Sequence, residues 1–298
     1  FTAKRSALFA NAPAVQGSKP EKFEPPKTGV SLSMAVDMDR PTSSVALVGA
    51  RIVSMADARG GLIDDGVILI ERDRIKAIGK RSDIRIPAGI PTVDVAGKTI
   101  MPGLVDAHAH GPYGIDELTP QQNWADMVNL AMGVTTRHDP SSSAASVFPA
   151  LEMERAGMIV GPRTFSTGEI IYGAKAAEVY AQIDSLDDAR AHVRRLNAQG
   201  AHSIKNYNQP RREQRQQVVA ATIEENMRSV AEGGSLFGFD MTLVADGNTT
   251  LEHNIPLSTF YDDVLQFFSK SKTGYTPTLV VTYGGPAGDP YCRSHTDV

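Results

Sequence analysis

The chain has 298 residues, 41% of them hydrophobic and 21% charged, which is enough apolar material for one large domain or two ordinary ones and too much for a disordered segment. Thirty basic residues against 34 acidic ones leave a net charge of -4, so there is no electrostatic footprint for nucleic acid or an anionic membrane, and no apolar run approaches the roughly 18 residues of a membrane span. The single cysteine, Cys292, excludes an intrachain disulfide framework and an all-cysteine zinc cluster, which leaves His, Asp, Glu or Lys to hold any metal.

The chain opens on Phe1 without a signal-peptide pattern, and both ends read as cut. Residues 11–44 carry Pro13, Pro20, Pro25, Pro26 and Pro41 among small and polar residues, so residues 1–44 read as an extended linker fed by a missing upstream region. Residues 45–101 read as a small antiparallel β unit without a helix. Its strands are Val45–Val53, a hairpin of Gly66–Glu71 and Arg74–Gly79 around Arg72-Asp73, and short runs at Val93–Val95 and Lys98–Met101.

From residue 102 to 298 the rhythm changes to short apolar strands alternating with helices, the pattern of parallel β/α units. Seven strands are expected: 103–108, 133–136, 163–166, 203–207, 228–232, 250–253 and 276–281. Between them, Trp124, Val128, Ala131 and Met132 fall on one helical stripe; Ala189, Val193, Leu196 and Ala198 sit in a second helix, with Ser185 and Asp188 placed to cap it; residues 212–227 form a third. No glycine-rich phosphate loop of a doubly wound sheet is present, so the expected fold is a (β/α)8 TIM-type barrel with about seven of its eight units.

The chemistry-bearing residues lie at strand ends. In Asp106-Ala107-His108-Ala109-His110 a period of two would put the aspartate and both imidazoles on one face, leaving the two alanines to pack on the other. Two histidines two apart at the C-terminal end of a strand suit a divalent ion such as zinc, iron or manganese. His138, after 133–137, is placed to line a pocket or to cap a loop with Asp139, and Tyr207 and Tyr172 sit at strand ends where substrate contact is possible. No G-x-S-x-G elbow appears, which disfavours serine hydrolysis.

The run from Lys98 through Met101-Pro102-Gly103-Leu104-Val105-Asp106 to His110 resembles the metal-dependent amidohydrolase superfamily. Within it the chain looks most similar to imidazolonepropionase and prolidase-like members, in particular to bacterial chains that fuse a Tol-type β-propeller upstream. The resemblance runs from about Val45 to about Asp289. It implies a β-sandwich part followed by a catalytic barrel, and a periplasmic or secreted location if the propeller fusion holds. It makes His108 and His110 first-strand metal ligands, Lys205 a fourth-strand lysine carboxylated to bridge two ions, and His253 the sixth-strand ligand. Where the family usually has a fifth-strand histidine this chain has Glu232, whose oxygens can coordinate zinc or manganese, with binding of a substrate amine or a plain ion pair as the alternatives. Glu252, next to His253, is expected to point outwards by alternation.

The implied activity is hydrolysis of a C–N bond in an amide, a cyclic amide or a dipeptide, with a divalent ion activating water and polarising the carbonyl. The family's proton shuttle is an eighth-strand aspartate. Asp289 and Asp297 come too early for it, and His295 falls in a tail whose fold is not legible. The alternative reading is therefore a non-catalytic metal-binding fragment or binding module. A barrel lacking its last strand would also leave two strand edges open, from which self-association is expected.

Overall fold

The computed structural model describes residues 28, 35–57, 60–114, 118–173, 181, 183–209, 211–234, 236–257 and 259–278. The chain divides into two units, Phe1–Val36 and Asp37–Val298, and every described helix and strand belongs to the second. Asp289, Cys292, His295, Asp297 and nearly all of the proline-rich opening lie outside the described residues.

The first sheet is built on β1 (Ser44–Val53), β2 (Leu62–Glu71) and β3 (Arg74–Lys80), joined as consecutive antiparallel neighbours. The expected hairpin is present, with Glu71 opposite Arg74 and Arg72 at the tight turn in the left-handed region. Strand β1 buries Ala46, Val48, Ala50 and Ile52 at every second position, the signature of a strand with one face on a core. Two short strands, β4 (Thr92–Asp94) and β5 (Thr99–Ile100), complete the sheet, and here the all-antiparallel expectation is corrected: both run parallel to β1. One edge of β1 is taken by β2, and the chain returns along the other in the same direction. Residue preference identifies such segments as extended but carries no information about their direction.

The remainder is mixed α/β. In chain order it runs β6 (Leu104–Asp106), α1 (Trp124–Ala131), β7 (Val134–Asp139), α2 (Ala144–Arg155), β8 (Arg163–Ser166), β9 (Ile171–Tyr172), α3 (Leu186–Gln199), β10 (Ile204–Tyr207), α4 (Arg212–Glu224), β11 (Ser229–Glu232), α5 (Phe237–Ala245), β12 (Thr250–Glu252), α6 (Asp262–Ser271) and β13 (Gly274–Thr276). Every pairing among these strands is parallel, in two sheets ordered β6-β7-β8 and β9-β10-β11-β12-β13.

Six of the seven expected strands are present. In place of the seventh, expected over 276–281, the strand is β13 (Gly274–Thr276), and residues 279–281 lie outside the described residues; β9 is an addition. It lies just beyond β8, and the two strands together act as one interrupted strand. The first half pairs with β7 and the second with β10, while Ser166 O, at the break, accepts from His202 N at 2.8 Å. Gly168 sits within the break at φ +64°, with the Phe148 ring against its backbone, a conformation that favours a residue without Cβ. Both sheets curl around one interior. Val105, Thr136, Phe165, Ser203, Val230, Thr250 and Thr276, drawn from or next to seven different strands, line a common cavity of about 320 Å³.

The helices follow the sequence unevenly. Helix α3 buries Ala189, Val193 and Leu196 and is capped by Ser185, whose Oγ accepts from Asp188 N at 3.2 Å. In α1 the apolar stripe faces away from the core: Trp124 is 80% exposed, and the side chain buried is Asp126. Asp126 reaches inward to pair with Arg137 of β7, Nη2 to Oδ1 at 2.5 Å. The Arg137 Nε donates to Thr164 Oγ1 at 2.9 Å, and its guanidinium lies 5.0 Å from the centre of the Tyr113 ring. No helix among the described residues is long and apolar enough to cross a membrane.

Candidate functional site

The site lies over the C-terminal ends of β6, β10, β11 and β12, where a parallel β/α arrangement leaves strand termini and loops free to carry chemistry. Strand β6 stops at Asp106, so the period-two reading does not extend through the histidine pair. Ala107 faces inward and lines the central cavity, and the chain then bends, held by a bond from His108 N to Asp106 Oδ1 at 3.0 Å. This bend carries His108 and His110 over the strand end. Their Nε2 atoms are 3.2 Å apart.

A row of contacts links the expected residues. The ring centres of His108 and His253 are 5.0 Å apart. His253 Nε2 is 2.8 Å from Glu232 Oε1, and Glu232 Oε2 is 2.5 Å from Lys205 Nζ. Lys205 is 1% exposed on its side chain and Glu232 13%, so the lysine head group is enclosed at the end of β10 rather than solvated. On its far side His253 Nδ1 meets the Thr278 hydroxyl at 2.8 Å. His108, His110, Lys205, Glu232 and His253 thus share one site.

Two carboxylates that residue pattern alone did not place there belong to it as well. Glu252 was expected to point outwards; it is buried, and its Oε2 lies 2.5 Å from His108 Nδ1. The alternation fails because His253 takes φ +67°, which turns the chain so that two successive side chains both reach the site. Asp139, the last residue of β7, is 3.1 Å from His110 Nδ1 through Oδ1 and also accepts from Ser141 N at 2.9 Å. No local pattern announces either contact, since each is made across a long sequence separation.

The charges follow these contacts. Burial alone would raise the Glu232 carboxyl, but the His253 bond and the Lys205 charge outweigh it and hold the group below the ordinary carboxylate range. Burial acts the same way on Glu252, and the bonds from His108 and Thr250 overcome it. The bond to Asp139 raises His110 in spite of its partial burial.

His138 is placed differently. Its Nε2 is 2.7 Å from Ser203 Oγ and its Nδ1 3.3 Å from Ala107 O, so it lines the central cavity beneath the histidine pair, and burial lowers its pKa. Tyr207 packs edge-on against Tyr172, ring centres 5.1 Å apart, where β10 and β9 end together.

The donor chemistry suits a divalent ion. Two nitrogens bound to one tetrahedral ion at about 2.1 Å sit roughly 3.4 Å apart, close to the observed Nε2 separation of 3.2 Å. The set is not closed, however. Among the described residues no group of three or more His, Cys, Asp or Glu side chains is arranged to hold an ion as it stands, and both Glu232 oxygens are engaged by Lys205 and His253.

No protein-family model matches the chain. Imidazolonepropionase of Bradyrhizobium sp. is 40% identical over 70 residues, which is 22% of this chain and 17% of that protein. Enamidase of Eubacterium barkeri is 31% identical over 109 residues, 36% of this chain and 27% of its own length. The chain thus spans less than a third of each of these relatives. A solved Xaa-Pro dipeptidase with methionine bound in its active site covers 80% of this chain and 67% of its own, with a TM-score of 0.64 at 19% identity, a likeness that shows a TIM-barrel-like fold. The chain is thus similar in sequence, over part of its length, to imidazolonepropionase and enamidase, and similar in fold to the dipeptidase.

Proposed function

We propose that the chain is the greater part of a metal-dependent hydrolase of C–N bonds, acting on an amide, a cyclic amide or a dipeptide. The observation that carries this reading is the convergence of His108, His110, Lys205, Glu232 and His253, which lie far apart in sequence, at the C-terminal ends of adjoining parallel strands. In this reading His108, His110 and His253 hold one or two divalent ions, zinc first and iron or manganese next, together with Glu232 and with Lys205 in its carboxylated form.

A divalent ion at such a site supplies Lewis acidity, activating water and polarising the scissile carbonyl. The chain's own residues supply the rest. Lys205 and Glu232 neutralise each other while the site is unloaded, so two buried charges remain paired until a cation competes for the carboxylate. Loss of a proton from the Lys205 ammonium, followed by addition of carbon dioxide to the neutral amine with release of a second proton, would give a carbamate, replacing a cation by an anion and releasing Glu232 for coordination. Tyr172 and Tyr207 present an aromatic rim at the β9 and β10 ends, suited to the flat face of a ring or a short peptide. His138 supports the floor beneath the histidine pair through Ala107 and Ser203.

The test is metal content per chain by inductively coupled plasma mass spectrometry, on the wild type and on a His108→Ala/His110→Ala double variant. About one or two ions in the wild type that vanish in the variant support the reading. Equal emptiness after zinc, iron and manganese supplementation overturns it.

A further inference from the structure

Building on that reading of the site, we infer that Glu252 is a positioning residue that holds the proton of His108 on Nδ1 and so keeps Nε2 unprotonated and aimed toward His110. Glu252 Oε2 and His108 Nδ1 are 2.5 Å apart, with the side chains 3% and 8% exposed, so no water competes for either atom. An ionised carboxylate only accepts hydrogen bonds, and a neutral imidazole carries a single N–H. The proton therefore sits on Nδ1, and the free electron pair sits on Nε2.

Glu252 is itself fixed, because the Thr250 hydroxyl donates to its Oε1 at 2.7 Å. The ring has little freedom to turn, since His110 and His253 close on it edge-on, each with ring centres 5.0 Å away. Asp139 anchors His110 through the same ring position, so the two Nε2 atoms come to face each other at 3.2 Å. A ring held in the Nδ1–H form needs no tautomer change to receive a cation at Nε2. The backbone turn at His253 serves the same end, since only by breaking the alternation can β12 aim Glu252 and His253 into the site together.

The test is long-range ¹H–¹⁵N spectroscopy of the metal-free, ¹⁵N-labelled chain at about pH 8, above the ordinary histidine range, with His108 assigned by the signals lost in His108→Gln. The expected result is an Nδ1–H tautomer at His108 in the wild type. In Glu252→Leu, which removes the acceptor, the tautomer shifts toward Nε2–H, while Glu252→Gln, which keeps an oxygen, retains the wild-type form. An Nε2–H tautomer in the wild type overturns the inference, as does an unchanged tautomer in a folded Glu252→Leu. Should that variant not fold, the wild-type and Glu252→Gln spectra decide alone. Competition titration with zinc separates this inference from the proposed hydrolase function: a wild type that binds no zinc ends the metal reading, whereas the tautomer decides the role of Glu252. If both hold, zinc affinity falls by about 10–100-fold in Glu252→Leu, the range typical of lost partners behind a ligating histidine, and by less in Glu252→Gln.

Discussion

Replacing Asp126 by alanine removes the carboxylate paired with the buried Arg137 guanidinium. Arg137 is 1% exposed on its side chain, and once Asp126 is gone its charge retains the neutral Thr164 hydroxyl and the Tyr113 ring face. Breaking a buried pair from one side costs about 3–5 kcal/mol, whereas replacing both partners with apolar groups is often near neutral. The Asp126 carboxyl supports that asymmetry, because burial pushes its pKa up even with Arg137 beside it: ionising this group in the folded protein carries a cost that the pair only partly recovers. Asp126→Ala should therefore lose about 3–5 kcal/mol in urea unfolding followed by circular dichroism, and on the order of 10 °C in Tm for a chain of this size. The double variant Asp126→Ala/Arg137→Met should recover most of it. If the two single-variant losses sum to that of the double variant within about 0.5 kcal/mol, the pair is not coupled and the reasoning fails.

Two further outcomes are expected away from the candidate site. Gly168→Ala places a methyl at φ +64° and 2.8 Å from the Phe148 ring edge, so denaturant unfolding should show a loss of about 1–3 kcal/mol; an unchanged midpoint would mean that neither the ring nor the backbone conformation constrains the break between β8 and β9. Burial raises the Asp240 carboxyl against the opposing bond from Gly234 N, so the folded state holds its proton to higher pH than the unfolded chain does. Its contribution to stability is therefore greatest below the unfolded pKa and is lost as pH rises through the folded one. Relative to wild type, Asp240→Asn should gain stability as pH rises above the ordinary aspartate range, and parallel pH profiles for the two proteins would contradict this.

Most of the architecture can be read along the chain because the strands are short apolar runs bounded by turn residues, and six of the seven expected in the parallel part are present, the last meeting its expected span only at Thr276. Ser185 and Asp188 form the anticipated cap because a hydroxyl facing a backbone N–H three residues on is a local contact. Departures arise where tertiary context decides. The apolar stripe of α1 could not reveal that Arg137 would draw Asp126 inward and leave Trp124 outside. Parallel pairing of β4 and β5 depends on which edge of β1 was free. In the site, the residue pattern marked His108 and His110, and the family resemblance added Lys205, Glu232 and His253; these five side chains lie together, but Glu252 escaped. Glu252 faces the interior with Thr250 by the strand's own alternation, and it is the left-handed His253 that turns the next side chain to the same site, a conformation that leaves no mark on the pattern around it.

The contact between His108 and Glu252 closes a stretch of 144 residues, and that separation bears on how the protein folds. Bringing such distant groups together carries a loop-closure entropy that intervening helices and strands reduce only once they have formed and docked. The hairpin of β2 and β3 can form early from neighbouring residues, but the histidine pair acquires its partner only when the first and sixth strands of the parallel part are both in place. Any ion would then meet a histidine pair already in position rather than template it. Refolding followed through the His108 environment should consequently lag behind refolding followed through backbone signals, and a single cut anywhere between β6 and β12 would turn an intramolecular closure into an encounter of two chains.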